Sequence, residues 1–123
     1  MNSSEITSLF DEWNYALQIG DPKVISALYE KESILLPTIS NKVRHNHGEI
    51  EDYFEIFLSR TPKGQLNESN IRIFDDIAIN SGTYTFTFGD NTSTQARFTY
   101  VYRWNGQRWM IIEHHSSAMP EQN

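Results

Sequence analysis

The stretch Arg97–Ser117, RFTYVYRWNGQRWMIIEHHSS, decides the fold of this chain. Up to Trp104, large aromatic residues alternate with smaller or polar ones, and this period of two is typical of a β-strand with one buried face. Asn105–Gly106 is a strong hairpin signal, because both residues tolerate the positive φ that tight turns require. We therefore predict an antiparallel hairpin whose buried face carries Phe98, Tyr100, Tyr102 and Trp104.

Two helices are predicted at the start of the chain. In the first, apolar residues recur at helical spacing from Ile6 to Leu17, with Ser3 or Ser4 as the expected N-cap and Gly20 as the stop. The second starts at Asp21–Pro22, where Asp is a favoured N-cap and Pro a favoured first helical residue. Its apolar stripe is expected to continue to Tyr29.

The middle of the chain joins these helices to the strands. A short apolar run ending at Pro37 indicates a buried strand, and a polar loop follows it. A third helix is predicted from Gly48, with the breaker sequence Thr61–Gly64 ending it. From about Ser69 the period changes to two. Helices that precede a run of strands predict an α+β fold, here a cone-shaped, strongly curved antiparallel sheet packed on three N-terminal helices.

Composition narrows the classes of function. With 123 residues, the chain is expected to form one domain over residues 1–123. Its formal net charge of -6 and the absence of any basic cluster argue against nucleic acid as a partner. It contains no cysteine, secretory-signal pattern or long apolar segment, so we expect a cytoplasmic protein without membrane contact. No motif indicates a cofactor.

The end of the last predicted strand concentrates the polar chemistry. Successive side chains of a strand point to opposite faces, so His114 and His115 cannot form one site. Strict alternation places Met110 and Ile112 with His114 and Ser116, and it places Trp109 and Ile111 on the other face, together with Glu113, His115 and Ser117. A Ser–His–Asp triad is disfavoured, because Ser116 and Ser117 have no nucleophile turn around them.

Several other residues have two interpretations each. His45, His47 and Glu49 could bind a metal, but the favoured interpretation is an exposed polar loop, and we predict no metal site. Arg97 and Arg103 alternate with the aromatic row, so they are expected on the outer face of the sheet, where Arg is typical of interfaces. Glu113, His115 and Ser117 are expected to join them there.

Four segments together resemble a known family: ALQIGD at the end of the first helix, LLPTISN, RFTYVYRWNGQRW and EHHSSAMP. They are similar to the nuclear transport factor 2-like superfamily, and most of all to the association (hub) domain of calcium/calmodulin-dependent protein kinase II and its stand-alone bacterial relatives. The resemblance covers roughly residues 5–120. The chain has no glycine-rich phosphate loop, HRD or DFG motif, so kinase activity is excluded.

The resemblance implies a cone that associates through its sheet into dimers or rings. Ser116 and Tyr100 stand where the kinase hub has pocket arginines, so its cationic pocket does not carry over directly. The loop that contains Arg44 is expected to cross the mouth of the cone, where Arg44 would bind an anionic group or form a surface ion pair. The predicted ligand-binding residues are Trp13, Arg44, Tyr53, Tyr100, His114 and Ser116.

Three functional hypotheses follow. The first is a self-associating module that binds a small apolar or anionic molecule in the cone. The second is an isomerase, dehydratase or cyclase, as in the superfamily enzymes, with His114 as the acid/base catalyst. The third is an oligomerisation module without a ligand. The fold alone does not choose between them.

Overall fold

Eight elements form the chain in the computed structural model, which describes residues 2–121. The helices are α1 (Ser3–Ile19), α2 (Pro22–Ser26) and α3 (His47–Leu58). The strands are β1 (Tyr29–Leu36), β2 (Lys63–Phe74), β3 (Ile77–Thr87), β4 (Ser93–Trp104) and β5 (Trp109–Ala118). They form one curved sheet in the order β1-β5-β4-β3-β2. The predicted α+β class is confirmed.

The sheet is antiparallel except at one edge. The hairpins β2–β3, β3–β4 and β4–β5 pair antiparallel, as predicted for the second half of the chain. β1 instead pairs parallel to β5, with Leu35 opposite His114. This pairing requires a crossover, and α3 with the three long strands that follow it supplies the intervening chain. The polar end of β5 therefore lies between β1 and β4.

The boundaries of the first two helices correct the prediction in detail. Asn2, rather than Ser3 or Ser4, caps α1: its Oδ1 accepts from the Glu5 backbone N–H at 3.1 Å, and Glu5 Oε1 accepts from the Asn2 N–H at 3.2 Å. Gly20 ends the helix with φ 84°, as predicted. α2 has the predicted Asp21 cap but ends at Ser26.

Tyr29 is the reason that the second helix is shorter than expected. Its side chain is completely buried, and its backbone lies in β1 opposite Ile111 of β5. Burial of a large aromatic residue in the sheet outweighs the helical preference of a short segment. β2 likewise begins at Lys63, earlier than the predicted Ser69, because Lys63–Leu66 pair with the end of β3.

Trp13 of α1 lies at the centre of the core. It is 2% exposed, and six rings have centroids 5.6–6.4 Å from its own, namely Phe10, Phe54, Tyr84, Phe86, Tyr100 and His114. Asn14, on the next position of α1, both donates to Gly64 O at 2.9 Å and accepts from Gly64 N at 2.8 Å. α1 is thereby fixed against the concave face of the sheet, and the space between them and α3 forms the interior of the cone.

Candidate functional site

A cavity opens between α3, the segment after β1 and the concave face of the sheet. Its volume is about 50 Å³, and it continues into an open mouth. Most of its lining is apolar and aromatic, including Leu35, Phe54, Phe57, Phe86, Phe88 and Ala96. The polar side chains are few, and most of them lie together at the end of β5.

These polar side chains form one continuous hydrogen-bonded chain. Trp13 Nε1 lies 3.1 Å from Tyr29 Oη, which is 2.9 Å from His114 Nδ1. On the other side of the ring, His114 Nε2 lies 3.2 Å from Tyr84 Oη, which in turn is 2.6 Å from Ser116 Oγ. This series of hydrogen bonds runs from Trp13 in the middle of the core to Ser116 in the wall of the cavity.

The indole of Trp13 determines which group donates in each of these hydrogen bonds. Trp13 can only donate, so Tyr29 Oη accepts from it and donates its own hydrogen to His114 Nδ1, its other partner. His114 is then the Nε2–H tautomer and donates to Tyr84, which is left to donate to Ser116. Each hydrogen bond fixes the orientation of the next one.

Burial determines the protonation of these groups. His114 is 2% exposed, and desolvation, assisted by the nearby His115, lowers the pKa of His114 to about 3. Its ring is therefore neutral at physiological pH. Burial also raises the pKa of Tyr29 and of Tyr84 well above the ordinary value for tyrosine. The cavity floor thus carries no charge.

Two arginines, Arg60 and Arg44, have different settings, and Arg60 alone of the two lines the cavity. Arg60 is exposed and lines the cavity, with its guanidinium carbon 3.8 Å from the centroid of the Phe88 ring. Arg44 is buried and donates to Ser40 Oγ at 2.6 Å and to Lys42 O at 2.5 Å. The backbone of Arg44 pairs with Leu35 through two bonds of 2.9 Å, which fold the loop back onto β1.

Four of the six residues predicted to bind a ligand line the cavity: Trp13, Tyr53, His114 and Ser116. Tyr100 and Arg44 are not among the lining residues. Tyr100 is completely buried behind His114, with the two rings stacked at a centroid distance of 4.1 Å. The guanidinium carbon of Arg44 lies 5.3 Å from the centroid of the ring of Tyr53, which does line the cavity.

The sequence prediction missed Thr38, Arg60 and Tyr84, which also line the cavity. Tyr84 lies in a segment where aromatic residues alternate with threonines, and nothing in that pattern distinguishes a pocket hydroxyl from a core ring. Thr38 follows Pro37, where the chain leaves β1. Its Oγ1 lies 2.6 Å from Ser116 Oγ across the β1–β5 pair. That contact depends on the parallel pairing, which local patterns do not reveal.

A β-bulge corrects the predicted faces of β5. Tyr102 pairs with Ile111 and Val101 pairs with Glu113, so Ile112 is an extra residue without a partner on β4. Trp109 and Ile111 are consequently buried together with His114 and Ser116, contrary to the predicted strict alternation. Met110 lies on the outer side instead.

The outer face of the sheet carries the residues predicted for an interface. Arg97, Glu113 and His115 are exposed there, and within residues 2–121 none of them has a hydrogen-bond or ion-pair partner through its side chain. Ser117 is half-buried opposite Arg97. Arg103 differs from these residues, because it donates to both carboxylate oxygens of Glu30 at 3.1 and 2.5 Å.

The residues weighed as a metal site have other partners. His45 Nδ1 and Glu49 Oε1 are 3.0 Å apart on the surface, whereas His47 Nε2 donates to the Tyr29 carbonyl at 2.6 Å. In the part of the chain that the structure describes, no group of three or more metal-binding side chains comes together. No helix within residues 2–121 is both long and apolar enough to cross a membrane.

Some buried polar atoms on the concave face have no partner within the described residues. They are both side-chain polar atoms of Asn80, the hydroxyls of Tyr100 and Tyr102, and Trp109 Nε1. Tyr102 and Trp109 line a second, smaller cavity beside α1, where Glu12 and Arg108 form an ion pair. These atoms differ from the polar groups around His114, which are joined to one another by hydrogen bonds.

A curved sheet that closes over three helices around an apolar cavity is the nuclear transport factor 2-like fold. Residues 2–120 match the model of the calcium/calmodulin dependent protein kinase II association domain, and the chain belongs to this family. Among curated proteins, none matches the chain in sequence.

Solved structures agree with this assignment. A protein from Xanthomonas campestris, described as such an association domain, is 45% identical, with a TM-score of 0.95 over 99% of this chain and 91% of its own. A protein from Streptomyces avermitilis, described as a dehydratase of the NTF2-like family, has a TM-score of 0.84 at 16% identity, covering 96% of each chain. One from Parabacteroides distasonis, described as a ketosteroid isomerase, has a TM-score of 0.77 at 19% identity, covering 96% of this chain and 88% of its own. The last two show the fold alone.

Proposed function

We propose that this protein is a self-associating cytoplasmic module that binds a small, mostly apolar molecule in its cone. The observation that carries the binding part is the cavity itself, an open-mouthed apolar recess lined by aromatic rings and a few converging hydroxyls. Apolar pockets with a small number of placed polar groups are typical of ligand sites. Membership of an association-domain family supports the self-association part.

The outer face of the sheet supports self-association independently. Within residues 2–121 no helix covers this face, and at its centre Ile79 and Val101 pair across β3 and β4 while remaining partly accessible. Arg97, Glu113 and His115 lie around them, and in the described part of the chain their side chains have no hydrogen-bond or ion-pair partner. An apolar centre with a charged rim is the usual composition of a protein interface. A second copy of the same face would supply the missing partners.

Native mass spectrometry of the gently purified protein tests both parts at once. We expect an assembly of at least two subunits, with a retained small molecule or with mass added by a supplied one. Val101→Glu would place a charge in the apolar centre of the face and should reduce the subunit number. Ile56→Glu adds the same charge on the exposed side of α3 and should leave the assembly intact. A monomeric wild type would refute the self-association part.

The enzymatic hypothesis has less support from the geometry. A general acid/base works best with a pKa near the operating pH, whereas burial keeps His114 neutral with a pKa of about 3. Both ring nitrogens of His114 are also engaged, by Tyr29 and by Tyr84. We therefore propose that His114 orients the hydroxyls beside it and does not exchange protons with a substrate.

A further inference from the structure

The polar end of the cavity has one hydroxyl hydrogen more than its internal contacts use. Three hydroxyls meet there, those of Tyr84, Ser116 and Thr38, and they make two oxygen–oxygen contacts of 2.6 Å each. Each contact uses one hydrogen, so two of the three are used. Tyr84 donates to Ser116, because His114 donates to Tyr84. The remaining hydrogen therefore belongs to Ser116 or Thr38.

Both of these residues line the cavity. Within residues 2–121, neither hydroxyl contacts a further side-chain or backbone acceptor. Ser116 is 8% exposed, so bulk water has little access to it. A buried donor without an acceptor is unfavourable, and a ligand that brings an acceptor removes that penalty. Because Thr38 is half-buried and both residues line the cavity, the remaining hydrogen of the Thr38–Ser116 pair is available to a ligand in the cavity.

The surroundings of this donor disfavour a charged acceptor. Among the described lining residues, Arg60 is the one permanently charged side chain, and it lies exposed at the mouth. A carboxylate placed at Ser116 would lose its hydration shell and gain one or two neutral hydrogen bonds in return, among aromatic rings. An uncharged acceptor loses far less on entering the same place.

Building on the proposed binding function, we propose that the cavity selects uncharged, mostly apolar molecules with one hydrogen-bond acceptor, such as a ketone or aldehyde oxygen. The Thr38–Ser116 pair binds that oxygen, and the aromatic lining covers the apolar body. Trp13 does not contact this hydroxyl pair. It orients the series of hydrogen bonds that leaves one hydroxyl hydrogen free at Thr38 or Ser116.

Three probes of nearly equal shape test the proposal: acetophenone, cumene and benzoate. They share a phenyl ring and a branched substituent of three heavy atoms, which carries one neutral acceptor, none or a negative charge. Binding to the wild-type protein is followed by amide chemical shifts in NMR titrations at matched free concentrations. One net hydrogen bond predicts that acetophenone binds about threefold to tenfold more tightly than cumene. Benzoate should bind more weakly than cumene.

One structure locates the acceptor, and one variant locates the charge. In a crystal of the acetophenone complex, the carbonyl oxygen should lie about 3 Å from Ser116 Oγ or Thr38 Oγ1. A carbonyl directed at the mouth would overturn the proposal. Tighter binding of benzoate than of acetophenone would also overturn it. Loss of that advantage in Arg60→Gln would then assign the selectivity to the mouth.

The double variant Thr38→Val, Ser116→Ala removes both hydroxyls. The ratio of its affinity for acetophenone to its affinity for cumene should be close to one. Thr94→Val removes a hydroxyl from the exposed rim of the same cavity and should leave the preference unchanged. A preference that survives in the double variant contradicts the proposal. If the wild-type protein binds acetophenone and cumene equally, the proposed selectivity is refuted but the binding function is not. If it binds none of the three probes, the cavity is not a site for molecules of this kind.

Discussion

His114 and His115 are consecutive residues with opposite environments. The side chain of His114 is 2% exposed and hydrogen-bonded on both ring nitrogens, whereas His115 is exposed on the outer face of β5 without a partner in the described part of the chain. The alternation of side chains along a strand produces this difference. The pair provides an internal comparison for the effect of pH.

The first prediction concerns acid stability. Burial lowers the pKa of His114 to about 3, below the ordinary value of about 6.5, so the unfolded state binds one more proton between these two values. The stabilisation by neutral His114 is complete above about pH 6.5 and is lost as the pH falls toward 3. Each pH unit within this window should reduce the free energy of unfolding by about 1.4 kcal/mol from this group.

Chemical denaturation between pH 7 and pH 4 measures this slope. His114→Gln should make the slope shallower, and His115→Gln should leave it nearly unchanged. NMR titration of the wild-type imidazoles gives a direct control, because the His114 ring signals should not shift until the protein unfolds. A normal titration of His114 near pH 6.5 in the folded protein would contradict the prediction.

The second prediction concerns the direction of the hydrogen-bonded chain. Trp13→Phe removes the N–H that makes Tyr29 a donor to His114, so the ring should lose its strict preference for the Nε2–H tautomer. Trp109→Phe is the matched control, since Trp109 is 3% exposed and its Nε1 has no partner among the described residues. Trp13→Phe should destabilise by about 1 kcal/mol more than the control. The nitrogen chemical shifts of His114 report its tautomer. If Trp13→Phe and Trp109→Phe change the tautomer and the stability equally, Trp13 does not set the direction of the hydrogen bonds.

The third prediction separates connected hydroxyls from unconnected ones. Tyr84→Phe removes the link between His114 and Ser116 and leaves both without that partner, so we expect a loss of about 1–3 kcal/mol. Tyr102→Phe removes a buried hydroxyl without a partner within residues 2–121 and should be close to neutral or stabilising. Denaturant unfolding of both variants measures the difference. A larger loss for Tyr102→Phe would show that its hydroxyl has a partner, such as a buried water.

The fourth prediction concerns the close approach of β2 and β3. A Cβ atom at Gly82 would lie 2.0 Å from the backbone oxygen of Glu68, near the irregularity in pairing between Leu66 and Glu68. Backbone cannot move away as a side chain can, so Gly82→Ala should destabilise by about 3 kcal/mol or more. Gly48→Ala is the control, because in α3 the new Cβ meets only Asn46 Oδ1, at 3.5 Å, and should be neutral or stabilising. Similar melting temperatures for the two variants would contradict the prediction.

Local patterns in the sequence predicted the elements whose determinants are local. The spacing from Ile6 to Leu17, the Asp21 cap and the Asn105–Gly106 turn each depend on neighbouring residues, and the structure confirms all three. The alternation also placed Arg97 and His115 on the exposed face correctly. Their role in an interface stays a prediction.

Long-range pairing explains what the patterns missed. The end of α2 and the start of β1 depend on Tyr29 meeting Ile111, more than eighty residues away along the chain. Thr38 reaches Ser116 only because β1 and β5 are parallel. The shift in the faces of β5 comes from the unpaired Ile112, and an extra residue of this kind leaves no distinctive mark in composition.

The bulge at Ile112 divides β5 into two functional segments. With strict alternation, a strand could turn inward either Trp109 and Ile111 or His114 and Ser116, but not all four. One additional residue allows Trp109 and Ile111 to join the core while His114 and Ser116 line the larger cavity. The number of residues between Ile111 and His114 is therefore a tighter constraint on this fold than their identity. Deletion of one residue there would move the side chains at one end of β5 to the opposite face of the sheet. A redesign of the cavity on this scaffold should therefore keep the number of residues between Ile111 and His114 unchanged.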